Sequence, residues 1–376
     1  MDFSTHKPVC IITGEECLVN NGERIAALGK KAYVVTGKRS ADACGAMNDV
    51  NAVLGKYGIP YVRMNRVTEN PPAEMCHEAG RECRENGCDF VVAIGGGSAI
   101  DAAKAIAAYA ANPEADVMDI YDPAKHPVTD LPLCAVPTTA GTGSETNYYS
   151  VLTISNGSQK KTYKSPNAYP NIAFVDPRYT HTLSREYTVS TALDALAHAI
   201  ESYLSPKSCE ASMEAALFAA KEVWDVIFRN ADADGDCDEG GFTAKQRERL
   251  MYASTAAGIA IDYTGTGFPH PLGYSVTLTY GIPHGRACAA FEGAFLRYNM
   301  LRSEGRAKIE ELAAYVGADV EEMIRKIPEK GDVQLNLTAE QREEMIDRVA
   351  GAGNYANSWY IISRGEMSDI YERLFG

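Results

Sequence analysis

The chain of 376 residues is short of several things, and each shortage excludes a class of protein. Its ten cysteines include no C-x-x-C pair. That argues against a zinc ribbon or a disulfide scaffold, and the thiols read as reduced residues of a cytoplasmic protein. Positive charge is in deficit, with 36 Lys and Arg against 50 Asp and Glu and a net charge of -14. A nucleic-acid groove is therefore not expected. No apolar run reaches the roughly 18 residues that a membrane span needs. The opening MDFSTHKPVC lacks the basic and then apolar stretch of a signal peptide. The acidic segment Asn230–Gly241 has the spacing of half an EF-hand, but glycine stands twelfth where a bidentate Glu is required, so it reads as a solvated loop. There is no G-x-G-x-x-G, so a standard Rossmann fingerprint is missing. Histidine is scarce, seven in all, and any grouping of them carries information.

What is present suggests two domains. The hydrophobic content of 45% is ample for a large core. The first half alternates strand and helix. Strands are expected at 31–36, 59–64, 90–94 and 133–136, and helices around Met47, Val50, Leu54 and Tyr57, over 72–85 and over 99–110. Phe90–Ile94 (FVVAI) is the continuous apolar run of a buried parallel strand. This rhythm implies a parallel sheet covered on both faces. From about Ser184 the pattern becomes helical, at 184–203, 208–229, 243–261, 284–299, 304–316 and 339–350. The expected division is an α/β domain over 1–183 and an all-α domain over 184–376.

Three stretches carry chemistry. In DALAHAIESYLS, Asp194 and His198 lie four apart, so a helix projects both from one face about a turn from each other. A carboxylate and an imidazole so placed can grip one metal ion. His270 in GFPHPLGY and His284 in GIPHGRA would complete a set of one carboxylate and three imidazoles suited to Fe(II) or Zn(II). Gly95–Ser98 follows a buried strand and opens a helix. Glycines there let a phosphate approach free N–H groups at a positive helix end; a tight turn with no ligand is the alternative. A second Gly/Thr/Ser loop, 138–144, follows another strand, and two such loops favour a dinucleotide crevice.

The stretches DFVVAIGGGSAIDAAK, PTTAGTGSE, DALAHAIESY, HPLGY and GIPHG together resemble the iron-containing, or group III, alcohol dehydrogenase family. The resemblance implies a dehydroquinate synthase-like fold with an N-terminal nucleotide-binding α/β domain and a C-terminal helical domain. It implies a divalent metal, Fe(II) or alternatively Zn(II), held by Asp194, His198, His270 and His284. It places Gly96, Gly97 and Ser98 at the cofactor pyrophosphate, with Asn70, Asp101, Thr138, Thr139, Thr142 and Lys161 also near the cofactor. Two departures stand out. Where many members carry a second His close to the nicotinamide, this chain has Tyr274, a candidate participant in proton transfer beside a ribose hydroxyl or water. Where some members carry an NAD-selecting Asp after the VVT strand, this chain has Gly37, followed by Lys38, Arg39 and Ser40. That run is either a 2′-phosphate pocket favouring NADP(H) over NAD(H) or a solvated basic turn.

The resulting expectation is a cytoplasmic metal-dependent oxidoreductase that moves a hydride between NAD(P)H and a small aldehyde or primary alcohol. A homodimer or higher homo-oligomer is expected, with neither nucleic-acid nor membrane partners. A polyol or sugar-phosphate dehydrogenase or lyase of the same fold is the alternative within enzymes. A non-catalytic metal-binding scaffold is the alternative outside them.

Overall fold

The computed structural model describes all residues except 7, 123, 126–128, 155, 156 and 158. The chain forms two compact units, Met1–Ser184 with Asp234–Thr255, and Arg185–Ala233 with Ala256–Gly376. A single division near 183 leaves out the return of Asp234–Thr255 to the first unit. That return is anchored by the buried Arg247, whose Nε donates to Asp238 Oδ2 at 2.6 Å and whose Nη2 donates to the Leu183 carbonyl at 2.8 Å. Asp238 of the acidic loop is thus spent on an ion pair within the protein.

In the first unit the strands are β1 (Cys10–Thr13), β2 (Ala32–Gly37), β3 (Tyr61–Val67), β4 (Phe90–Gly95), β5 (Leu133–Pro137), β6 (Tyr149–Ile154), β7 (Gln159–Lys164) and β8 (Ile172–Val175). Six of them form one sheet in the order β1-β8-β5-β4-β2-β3. Every pairing in it is parallel, with Val34 level with Val92 and Val92 level with Cys134. Strands β6 and β7 form a separate antiparallel hairpin. Every residue of β4 is buried, as expected of a central parallel strand covered on both faces. The helices are α1 (Cys17–Asn20), α2 (Glu23–Ala26), α3 (Ser40–Ala43), α4 (Ala46–Lys56), α5 (Ala73–Glu85) and α6 (Gly97–Ala111). Met47, Val50, Val53 and Leu54 of α4 join Val34, Val92, Val136 and Phe174 of the sheet in one core cluster.

The strand order positions the nucleotide loops. From β2 the chain moves outward to β3, then returns to the other side of β2 to make β4. Neighbouring strands β2 and β4 therefore send their connections in opposite directions. Open α/β sheets bind ligands at such a switch, beyond the carboxyl ends of the strands.

The second unit is helical: α7 (Arg185–Tyr203), α8 (Glu210–Val223), the end of α9 (Ala244–Thr264), α10 (Pro269–Tyr280), α11 (His284–Asn299), α12 (Ser303–Val316), α13 (Val320–Gly331), α14 (Ala339–Val349) and α15 (Arg364–Phe375). The fold is the expected one, a parallel-sheet unit and a helical unit. Helix α10 is an addition to the expectation, because its Pro-x-Pro and Gly obscure the periodicity. Pro269 and Pro271 fall in its first turn, where backbone N–H groups have no intrahelical partner to lose. No helix among the described residues is long and apolar enough to cross a membrane.

Candidate active site

In the second unit, α7 runs nineteen residues with neither Gly nor Pro, and its middle is buried. Its period brings Asp194, His198 and Glu201 onto one face. Helix α11 meets that face closely. A Cβ on Gly285 would lie 1.9 Å from the Ser190 carbonyl oxygen and 2.9 Å from Asp194 Cβ, so only glycine permits the approach. The neighbour of Gly285, His284, is thereby set beside Asp194. Helix α10 brings in His270 one residue past its proline start.

Three imidazoles converge on one carboxylate oxygen. The Nε2 atoms of His198, His270 and His284 lie 3.8, 3.7 and 3.7 Å from Asp194 Oδ1. The rings of His198 and His270 stack at 4.6 Å between centroids. Asp194 is 4% exposed, and its Oδ1 has no hydrogen-bond partner among the described residues. A buried carboxylate oxygen left so is costly unless a cation meets it. One divalent ion among these four donors answers that cost, and the hard carboxylate with three borderline imidazoles suits Fe(II) or Zn(II).

Residues outside the expected set support this cluster. His270 Nδ1 and Glu201 Oε1 are 2.6 Å apart, and Glu201 Oε2 accepts from the Gly267 N–H at 2.5 Å. A carboxylate on Nδ1 fixes the tautomer and orientation of a ring whose Nε2 is the metal-binding atom. The Glu292 carboxyl of α11 faces Glu201. Burial raises both carboxyls, but their mutual hydrogen bond lowers Glu201 and raises Glu292, so Glu292 holds the proton of the pair and Glu201 is the carboxylate facing His270. Cys288 Sγ lies 3.7 Å from both ring nitrogens of His284. Donor atoms of Asp194, His270, His284 and Cys288 all lie within 4.8 Å of one another. The signals were in the sequence, Glu201 three residues beyond His198 and Cys288 four beyond His284, but helical spacing alone does not single them out. Tyr274 is half-buried, stacked on His284 at 5.1 Å and edge-on to His270 at 6.3 Å.

In the first unit, the loop after β4 and the loop after β5 pack against each other. A Cβ on Gly96 would lie 2.9 Å from Thr139 Oγ1, and one on Gly97 would lie 2.6 Å from Thr142 Cγ2. These glycines therefore admit the threonines, in addition to leaving the backbone open to a ligand. Helix α6 begins here with Gly96 as its cap and no side chain capping it. Its first N–H groups and the Thr138, Thr139 and Thr142 side chains share one loop cluster. Asp101 and Lys104 of α6 hold that cluster. Ser144 Oγ donates to Asp101 Oδ1 at 2.5 Å, the Val151 N–H donates to Asp101 Oδ2 at 2.9 Å, and Lys104 Nζ donates to Ser144 O and Tyr149 O at 2.7 Å.

At the end of β2, Lys38, Arg39 and Ser40 are exposed, and neither Lys38 nor Arg39 has an ion pair among the described residues. Arg63 is engaged with Asp42 at 2.6 Å. Asn70 adopts a left-handed conformation (φ 52°) after β3, and its carbonyl accepts from Thr153 Oγ1 at 3.0 Å. Lys161 on β7 is exposed, with Nζ 5.0 Å from the Tyr121 ring centroid, whereas its neighbour Lys160 adds a weaker positive charge to that of Lys104 on Asp101.

A switch-point sheet with an uncapped glycine loop, and an Asp/three-His cluster on buried helices, define a nucleotide-using, metal-dependent class of enzyme. The family model for iron-containing alcohol dehydrogenases matches residues 8–177, and that for the C-terminal part of the Fe-containing alcohol dehydrogenase family matches 188–373. An NADPH-dependent butanol dehydrogenase of Clostridium saccharobutylicum is 29% identical, over 84% of this chain and 78% of its own. A 1,3-propanediol dehydrogenase of Citrobacter freundii is 32% identical, over 80% and 76%. The crystal structure of an iron-containing alcohol dehydrogenase from Thermotoga maritima superposes with a TM-score of 0.89 at 32% identity, covering 98% of both chains. The chain belongs to the iron-containing alcohol dehydrogenase family. It is an alcohol dehydrogenase, an oxidoreductase exchanging hydride between NAD(P)H and small alcohols or aldehydes.

Proposed function

We propose that Asp194, His198, His270 and His284 hold one divalent ion, Fe(II) or alternatively Zn(II), and that the chain prefers NADP(H). The observation carrying the first part is the convergence of three Nε2 atoms at 3.7–3.8 Å on the unpartnered Asp194 Oδ1. When bound, such an ion supplies Lewis acidity at the substrate oxygen, and the nicotinamide supplies the hydride. The chain's own residues do the rest. Glu201 holds the His270 ring in one tautomer. The paired acid Glu292 faces Glu201, both fully buried behind His270. Tyr274, against His284, is the protein group offered for relaying a proton to solvent.

In the first unit, the N–H groups of Gly96, Gly97 and Ser98 and the hydroxyls of Thr138, Thr139 and Thr142 would receive the pyrophosphate, with Asn70 and Lys161 on neighbouring segments. Asp101 keeps the threonine loop in place. The run Gly37-Lys38-Arg39-Ser40 supports NADP(H): a side chain added at Gly37 would make only ordinary contacts, at 3.6 Å from Val67 O, so its smallness serves no packing need. Lys38 and Arg39 are exposed cations free to meet a 2′-phosphate. The ten cysteines, with no C-x-x-C pair, read as reduced thiols of a cytoplasmic protein.

The test is metal analysis of purified protein together with an anaerobic assay, Fe(II) present, of a panel of aldehydes with NADPH and with NADH. One bound ion per chain and metal-dependent NADPH oxidation are expected. Equal efficiency with both cofactors would remove the NADP(H) preference. Activity undiminished after complete chelation would remove the metal assignment.

A further inference from the structure

We propose that Cys288 is an additional metal donor of the second unit's centre, so that this chain retains thiophilic divalent ions, zinc or cobalt, more tightly than its Asp and His donors alone would. The inference rests on the reading that Asp194, His270 and His284 hold an ion. Cys288 lies one turn beyond His284 on α11 and is fully buried, with Sγ 3.7 Å from both His284 ring nitrogens. Its sulfur, the Asp194 and His270 donors and that of His284 lie within 4.8 Å of one another. None of the other nine cysteines belongs to such a group among the described residues.

Two further observations concern the surroundings of the sulfur. Asp194, 4% exposed, turns the partnerless Oδ1 into the same cluster. Gly273 of α10 lies directly behind the thiol, where a Cβ would come within 3.1 Å of Sγ. The missing side chain leaves the sulfur its place between α10 and α11.

Zinc bonds run about 2.3 Å to sulfur and about 2.0–2.1 Å to imidazole nitrogen, which puts donors sharing a tetrahedral ion roughly 3.3–3.7 Å apart. The His284–Cys288 spacing meets this already. The widest spacing in the group needs a side-chain shift of about 1 Å. On coordination the S–H bond is replaced by a sulfur–metal bond and the proton passes to solvent. A thiolate shifts the donor set from iron's preferences toward those of softer ions. His198, on the same Asp194 oxygen, then competes with the sulfur for a place in the coordination shell.

The experiment loads the full-length metal-free chain with Co(II) and with Zn(II). Wild type should bind one Co(II) per chain and show a thiolate-to-cobalt charge-transfer band in the near ultraviolet. Cys288→Ser should bind Co(II) with the same stoichiometry and lack that band, with zinc held about 10- to 100-fold more weakly. X-ray absorption on zinc-loaded wild type should show one sulfur in the first shell, which tests the idea without any variant. One Co(II) bound with no charge-transfer band, no sulfur on zinc, or a band surviving in Cys288→Ser overturns the proposal and leaves the Asp/His assignment standing. No Co(II) bound by wild type overturns that assignment and this proposal with it.

Discussion

The cluster of the second unit and the loops of the first prepare for ligands by opposite means. At Asp194 the donors are side chains, almost all buried, and held by other buried groups such as Glu201. At Gly95–Ser98 the offered groups are backbone N–H, and at Lys38 and Arg39 they are exposed cations. The difference follows from the ligands each end suits. A bare ion gives up its hydration, so the protein must replace the whole shell with preset donors. A dinucleotide keeps much of its surface, and a helix end with a few long cationic side chains is enough. Errors should therefore be severe and local in the cluster, and milder and tunable in the loops.

The strongest way to break that comparison is His270→Ala. It removes one donor and strands Glu201. Metal affinity should fall more than about 100-fold, since changes one shell further out already cost about 10- to 100-fold. Metal analysis after dialysis, with circular dichroism to confirm folding, decides it; full occupancy would show that His270 is only a packed residue. Next is Gly96→Val. The added carbon would meet Thr139 Oγ1 at 2.9 Å. Overpacking of this kind costs about 1–3 kcal/mol, or about 10- to 100-fold in NADPH affinity if the loop must move. Fluorescence titration should find weak NADPH binding with metal content unchanged, and unaltered affinity would dismiss the cradle.

Gly37→Asp tests the tunable end. The space around Gly37 admits a side chain, so the effect should be electrostatic. An exposed charge-assisted contact eroded by salt is worth about 1.4 kcal/mol, hence about a tenfold preference for NADPH that the variant reverses. The ratio of kcat/KM for NADPH and NADH at low and high salt reads this directly; a ratio indifferent to the substitution marks Lys38 and Arg39 as a solvated turn. The smallest effect sharpens the role of the ion by contrast. Burial pushes Asp130 up from 3.8 to about 7 against a lowering hydrogen bond from Tyr163. Among the described residues no cation pairs with this carboxylate, unlike the role argued for Asp194. Because the folded-state value is raised, its favourable contribution is complete below about pH 4 and is lost as pH rises through about 7. Thermal unfolding across that window should show stability declining in wild type and a flatter profile in Asp130→Asn. Parallel profiles would show that Asp130 is solvated.

Parts of each region are legible in the sequence. Asp194 and His198 stood out because helical spacing is strict and histidine is rare. Phe90–Ile94 and the glycines after it stood out because buried parallel strands are continuously apolar. Helix α10 was obscured by Pro269 and Pro271, whose breaking effect vanishes in a first turn. Strands β1 and β8 were too short to show a period, and they pair only because the sheet brings them level. The return of Asp234–Thr255 to the first unit depends on Arg247 reaching Asp238 and the Leu183 carbonyl.

Local chemistry alone determined the parallel sheet, the helical second half, the glycine loops and the candidate donors, because periodicity and residue type act over a few neighbours. Tertiary structure decided what those residues do to one another. It drew three imidazoles to one oxygen, put Glu201 behind His270 and Cys288 beside His284, and gave Gly96 and Gly97 the threonines that they accommodate. Those contacts join residues up to tens of positions apart, and only the close packing of helices and loops sets their distances.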